Sequence, residues 1–88
     1  MNVVFLPRAW ADLQHWIATD ARLLVKIHDL IEDCRRNPFK GLGKPEPLRG
    51  EWAGWWSRRI NAEHRLVYRV RGAGEGQVIE IAQLRYHY

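Results

Sequence analysis

The chain has one cysteine, Cys34, among 88 residues, which excludes an internal disulfide. No Cys/His spacing resembles a zinc site, so no metal or other cofactor is expected. No apolar run is long enough to cross a bilayer, and no signal-like N-terminal stretch appears. Internal repeats, linkers and low-complexity tracts are missing as well. These absences predict one domain over residues 1–88, working in a reducing cytoplasm without a membrane partner. They leave the oligomeric state open. Cys34 falls on an apolar helical stripe and reads as a small buried hydrophobe.

What is plentiful is apolar surface, at 47% of the residues, and tryptophan, at five. So short a chain needs large side chains to close a core. Charge is placed unevenly. Residues 1–34 hold Arg8, Arg22 and Lys26 against five acids. Residues 35–71 hold ten basic residues against only Glu46, Glu51 and Glu63, and residues 72–88 add Arg85 against Glu75 and Glu80. The net charge of +4 thus arises in one central block. A segregated positive block points to a polyanionic partner, either nucleic acid or an acidic protein segment.

The order of elements reads as α+β. Asn2 to Leu6 has the pattern of a short buried strand stopped by Pro7. Trp10, Leu13 and Ile17, with Trp16 beside them, predict a helix over residues 8–18. Leu24, Ile27, Ile31 and Cys34 predict a second helix, capped by Thr19 or Asp20 and running to Arg36, where Asn37-Pro38 stops it. Residues 38–54 read as loop, punctuated by Gly41, Gly43, Pro45, Pro47, Gly50 and Gly54. Strands follow at Trp55–Ile60, Arg65–Arg71 and Gln77–Arg85, joined by turns at 61–64 and 72–76. An N-terminal strand with two helices covering one face of a small, mostly antiparallel sheet is the economical packing. The outer face is then free to carry Arg59, Arg65, Arg69 and Arg71 toward a partner, while the side taken by Arg58 stays open. His64 and Glu63 read as structural members of their turn, and Trp10, Trp16 and Trp56 as core or dimer contacts.

Just past the third of these strands, Arg85-Tyr86-His87-Tyr88 gathers a guanidinium, two phenols and an imidazole. Imidazole exchanges protons near neutral pH. Phenols stack on bases or hydrogen-bond phosphate. Two readings stand side by side, a docked aromatic segment that completes the core and part of a chemical site.

Gly43-Lys44-Pro45-Glu46-Pro47-Leu48, Trp56-Ser57-Arg58-Arg59-Ile60, Glu63-His64-Arg65-Leu66-Val67-Tyr68 and Arg85-Tyr86-His87-Tyr88 closely resemble four blocks of the YoeB/Txe family. These are toxins of bacterial toxin–antitoxin pairs, within the wider RelE/ParE superfamily. The likeness runs through the whole chain, including Trp10, Trp16 and the helix exit at 35–39. It departs in the Gly72–Gly76 turn, which is longer than usual, and at Arg49, where family members often have lysine. That exchange keeps the charge but replaces a point charge with a planar fork.

The resemblance implies a RelE-like fold and a metal-independent endoribonuclease that enters the ribosomal A site and cuts mRNA there. It implies attack of the RNA 2′-hydroxyl on the adjacent phosphate. The family pattern then assigns Glu46 as base, His87 as acid, Arg65 with Arg59 and Arg49 as cations at the phosphate, Lys44 as a further phosphate contact, and Tyr88 as a stacking or orienting group. The split of base and acid roles between Glu46 and His87 comes from the family alone. Implied partners are the ribosome, mRNA, a YefM/Axe-like antitoxin with an acidic C-terminal segment, and a second copy of the chain. A ParE-like gyrase inhibitor and a non-catalytic RNA-binding module are the rival readings. Neither needs an acid–base set.

Overall fold

A computed structural model describes residues 1–86. The elements run β1 (Asn2–Phe5), α1 (Pro7–Thr19), α2 (Ala21–Arg36), β2 (Glu46–Pro47), β3 (Trp56–Arg59), β4 (Arg65–Arg71) and β5 (Val78–Gln83). The sheet order is β1-β5-β4-β3-β2, with β1 parallel to β5 and the other pairs antiparallel. No helix among the described residues is long and apolar enough to cross a membrane.

Local chemistry explains the boundaries. Pro7 opens α1 at a position whose N–H has no helical partner anyway. Asp20 serves both helices: its N–H donates to the Trp16 carbonyl, and its carboxylate accepts from the Leu23 N–H at 3.0 Å. Arg35 and Arg36 complement the dipole at the end of α2.

The core lies between the helices and the inner sheet face. Ala9 and Trp16 from α1 and Ile27, Leu30 and Cys34 from α2 pack on Leu66, Tyr68, Ile79, Ile81 and Leu84. The expected stripe on α1 is corrected here. Trp10 and Ile17 are 55% and 54% exposed, whereas Asp12 is buried. Asp12 takes the inner position because its carboxylate accepts the Leu84 N–H at 2.9 Å, a backbone group that burial would otherwise leave unpaired. A second correction concerns the loop at 38–54, which contains a two-residue strand, β2, at the sheet edge. Strand β5 ends at Gln83, two residues short of the expected Arg85. It also carries a bulge. Val67 faces Gln83 while Tyr68 faces Ile81, so Ala82 is an extra residue that turns Gln83 to the outer side.

Burial in this core pushes the Cys34 thiol up to about 11 and the Tyr68 phenol up to about 12. In the unfolded chain both groups ionise at lower pH, so the folded state holds more protons and stability falls as pH rises. The loss begins above pH 9, the ordinary thiol value, and continues through the folded values. At 1.36 kcal/mol per unit, each group costs about 3 kcal/mol when fully unpaired from its proton. Thermal melts at pH 8–11 should show a steep decline that starts about one unit later in Cys34→Ala. A melting point flat to pH 11 would mean both groups ionise freely in the fold.

Candidate active site

Strand alternation puts Trp56 and Arg58 on the helix side of β3, and Ser57 and Arg59 on the outer side. Arg58 is fully buried, and its guanidinium uses all five N–H donors. Nε donates to the Tyr68 hydroxyl at 3.2 Å, Nη1 to Asp33 Oδ2 at 2.6 Å and the Leu42 carbonyl at 3.1 Å, and Nη2 to the Asn37 and Lys40 carbonyls at 2.7 and 3.2 Å. Asp33 also accepts the Leu42 N–H at 2.9 Å. The bond from Arg58 and then that from Leu42 hold its carboxyl below the usual carboxylate range. The segment leaving α2 is thereby tied to the sheet.

This tie sets the course of the next residues. Gly43 has φ +76°, and a Cβ there would meet both the Arg59 carbonyl and the Leu30 side chain at 2.9 Å. The Gly43 carbonyl accepts the Arg59 N–H at 2.6 Å. Lys44 then takes φ +51°, an uncommon conformation for a residue with a side chain. Chain reversal at these two residues delivers Glu46 to β2, opposite Ser57.

Cross-strand partners project from the same face. Glu46 pairs with Ser57, Ser57 with Val67, and Arg59 with Arg65, so Glu46, Arg59 and Arg65 share the outer face. Lys26, Lys44, Arg59 and Arg65 line one open cleft of about 630 Å³ together with Gly43 and residues 60–62. None of these four cations pairs with a carboxylate among the described residues, and no acid lines the cleft. Arg65 is held through one nitrogen. Its Nη1 donates to the Asn61 and His64 carbonyls at 2.7 and 3.0 Å. The Nε and Nη2 edge makes no hydrogen bond to the described residues.

Two other cations on the outer face are neutralised locally. Arg69 and Arg71 reach Glu80 at 2.6 and 3.6 Å, and Arg69 lies 4.4 Å from the Trp55 ring centre. The outer face therefore offers Arg59 and Arg65 but not the whole arginine row expected from alternation. Arg49 heads the 3₁₀ turn Gly50–Trp52 and is outside the cleft lining. Lys26, on α2, is the cleft residue that sequence reasoning missed. It sits in the net-negative part of the chain, and only tertiary packing brings it beside Arg59.

His87 and Tyr88 lie outside the described residues. The segment before them is fixed from two sides. From α1, the Trp16 indole donates to the Leu84 carbonyl at 3.0 Å, beside the Asp12 bond, and Arg8 donates to the Arg85 carbonyl at 3.4 Å. From the sheet, the Tyr86 N–H donates to His64 Nδ1 at 2.8 Å, and the Tyr86 carbonyl accepts the Arg65 N–H at 3.2 Å.

Two helices on one face of a five-stranded mixed sheet with an N-terminal edge strand is the architecture of RelE/YoeB-like toxins. Over residues 5–88 the sequence matches the YoeB-like toxins of bacterial type II toxin–antitoxin systems, and the chain belongs to that family. Toxin YoeB of Escherichia coli K12 is 48% identical over 88 residues, covering all of both chains. A YoeB/ParE toxin from Agrobacterium tumefaciens superposes with a TM-score of 0.95 at 56% identity, again over the full length of both. YoeB from Staphylococcus aureus, solved as a dimer and in a heterotetrameric complex with YefM, gives TM-scores of 0.88 and 0.87 at 40% identity, covering 100% of this chain and 98% of those.

Proposed function

We propose that this toxin is a ribosome-dependent endoribonuclease that cuts mRNA in the A site. The observation that carries the proposal is the set of four cations, Lys26, Lys44, Arg59 and Arg65, without a carboxylate partner among the described residues, lining one cleft beside the sheet face that holds Glu46. In the reaction, Glu46 takes the proton of the 2′-hydroxyl and O2′ attacks the adjacent phosphorus. The P–O5′ bond breaks, and His87 gives a proton to the departing oxygen. The products are a 2′,3′-cyclic phosphate and a free 5′-hydroxyl. Negative charge builds on the non-bridging oxygens at the pentacoordinate phosphorus, where the free edge of Arg65 and the guanidinium of Arg59 stabilise it. Lys44 and Lys26 hold neighbouring phosphates, Arg49 extends the basic track beyond β2, and Tyr88 stacks on a base.

Regulation follows the same electrostatics. The Staphylococcus aureus relative forms its complex with YefM. A YefM-like antitoxin with an acidic segment suits the basic cleft and competes there with RNA. The dimer of that relative supports a second copy of this chain as a further partner.

Ribosomes translating a defined message provide the test. The expected result is cleavage within the A-site codon, 5′ fragments ending in a cyclic phosphate, and protection by the cognate antitoxin. Ribosome binding without cleavage would reduce the protein to an RNA-binding module. Inhibited gyrase with intact message would make it a ParE-like poison.

A further inference from the structure

We propose that His64 is a positioning residue for the nuclease reaction, holding Tyr86 in place only while its own Nδ1 is unprotonated. This rests on the nuclease reading above. Its physical basis is independent of it.

The imidazole is buried at 7% exposure, in the turn between β3 and β4. Its Nδ1 lies 2.8 Å from the Tyr86 nitrogen. A backbone N–H can only donate, so Nδ1 must accept, and the neutral ring carries its proton on Nε2. That nitrogen lies 3.6 Å from a Glu63 carboxylate oxygen. The ring is wedged edge-on against Trp16, with centroids 4.9 Å apart, and tilted against Tyr86 at 5.5 Å. Its orientation is therefore fixed by packing as well as by hydrogen bonding.

Both polar groups of the Tyr86 backbone are held by consecutive residues, the N–H by His64 and the carbonyl by Arg65. Tyr86 itself takes φ +62°, a left-handed conformation that persists only when its surroundings impose it. Adding a proton to Nδ1 would set two donors against each other and remove the bond that imposes it. Next in the sequence comes His87, the proposed acid, which is why the clamp on Tyr86 bears on the proposed reaction.

The charged and titratable groups facing the ring come from three sides. Glu63 lies beside it in the turn and Arg65 follows it on β4, with its Nη1 on the His64 carbonyl. From the closing segment come the Tyr86 phenol and Arg85, which lies over both the Tyr86 and Trp16 rings. Helix α1 presents the uncharged indole of Trp16.

The experiment compares wild type, His64→Ala and His64→Asn. Asparagine keeps an acceptor oxygen at the δ position but does not titrate. In the free protein, amide exchange at Tyr86 should quicken about tenfold in His64→Ala, the scale of one lost hydrogen bond. In wild type its protection relative to the intrinsic exchange rate at each pH should fall at low pH, and His64→Asn should keep that protection constant. On programmed ribosomes, His64→Ala should lose about 10²-fold in kcat with KM unchanged, as expected for a displaced reacting group. His64→Asn should recover most of the rate and flatten the fall in rate toward acid pH. Unchanged Tyr86 exchange in His64→Ala overturns the clamp, whatever the enzyme does. Altered exchange with a wild-type rate and pH profile overturns the positioning role. Altered exchange in a wild-type protein that never cuts RNA sinks the nuclease reading and the positioning role together, and leaves the clamp standing.

Discussion

Alanine at Glu46, Arg65 or His87 should lower cleavage of ribosome-bound message by about 10²–10⁴-fold each, the usual cost of removing a positioned acid or base. A similar factor applies to a transition-state cation. The geometry separates chemistry from folding for two of these residues. Glu46 is exposed on a two-residue edge strand, so its replacement should barely move the melting point. Arg65 has a second task, because its Nη1 closes the 61–64 turn on two carbonyls. Its alanine variant should melt slightly lower, by about 1 kcal/mol of lost hydrogen bonding. The rate loss must therefore exceed anything that unfolding explains. Ribosome binding should survive in the Glu46 and His87 variants and weaken in the Arg65 variant. In the proposed reaction these groups act on one transition state, so Glu46→Ala combined with His87→Ala should lose much less than the product of the single effects. Near wild-type cleavage in all three, with unchanged circular dichroism, would mean the chemistry lies elsewhere.

Arg58→Met should be the most destabilising single substitution in the chain. It leaves Asp33 without its partner and withdraws donors from Tyr68 and three carbonyls at once. Breaking a buried ion pair by removing one member costs about 3–5 kcal/mol. In a domain of this size that lowers the melting point by roughly 12–40 °C. Arg58→Lys should fall between, since an ammonium keeps the charge but not the five-donor fork. Its effect is also pH-linked. Asp33 contributes stability in its ionised form, present above the ordinary carboxylate range and lost as pH falls through its depressed folded value. The acid limb of wild-type stability should thus flatten in Arg58→Met. Pairing Arg58→Met with Asp33→Leu should restore part of the loss, as replaced buried pairs often do. A single variant melting within a few degrees of wild type would show that the Arg58 network holds little.

Legibility in the sequence followed the range of the interaction. Strand β4 was readable to the residue and helix α2 to within one residue at its start, because period, cap and stop signals are local, and the four sequence blocks pointed to the family fold. Asp12 on the buried side of α1 was not readable, since its partner Leu84 is 72 residues away. The two-residue β2 hid among prolines, which argue against a strand except at an edge. Arg69 and Arg71 looked available until β5 brought Glu80 alongside. In the candidate site, Arg59, Arg65, Lys44 and Glu46 were named from the family blocks. Their common face follows from register, and Lys26 joins them only through the packing of α2.

The parallel pairing of β1 with β5 has a consequence for biosynthesis. Residues 2–5 find their sheet partner only when residues 78–81 exist. At bacterial-to-eukaryotic elongation rates of about 5–20 residues per second, the first strand waits roughly 4–15 s for it. Strand β5 also lies between β1 and β4, so an interior strand is the last of the five to be translated. A fold wired in this way completes its sheet only after β5 has been made.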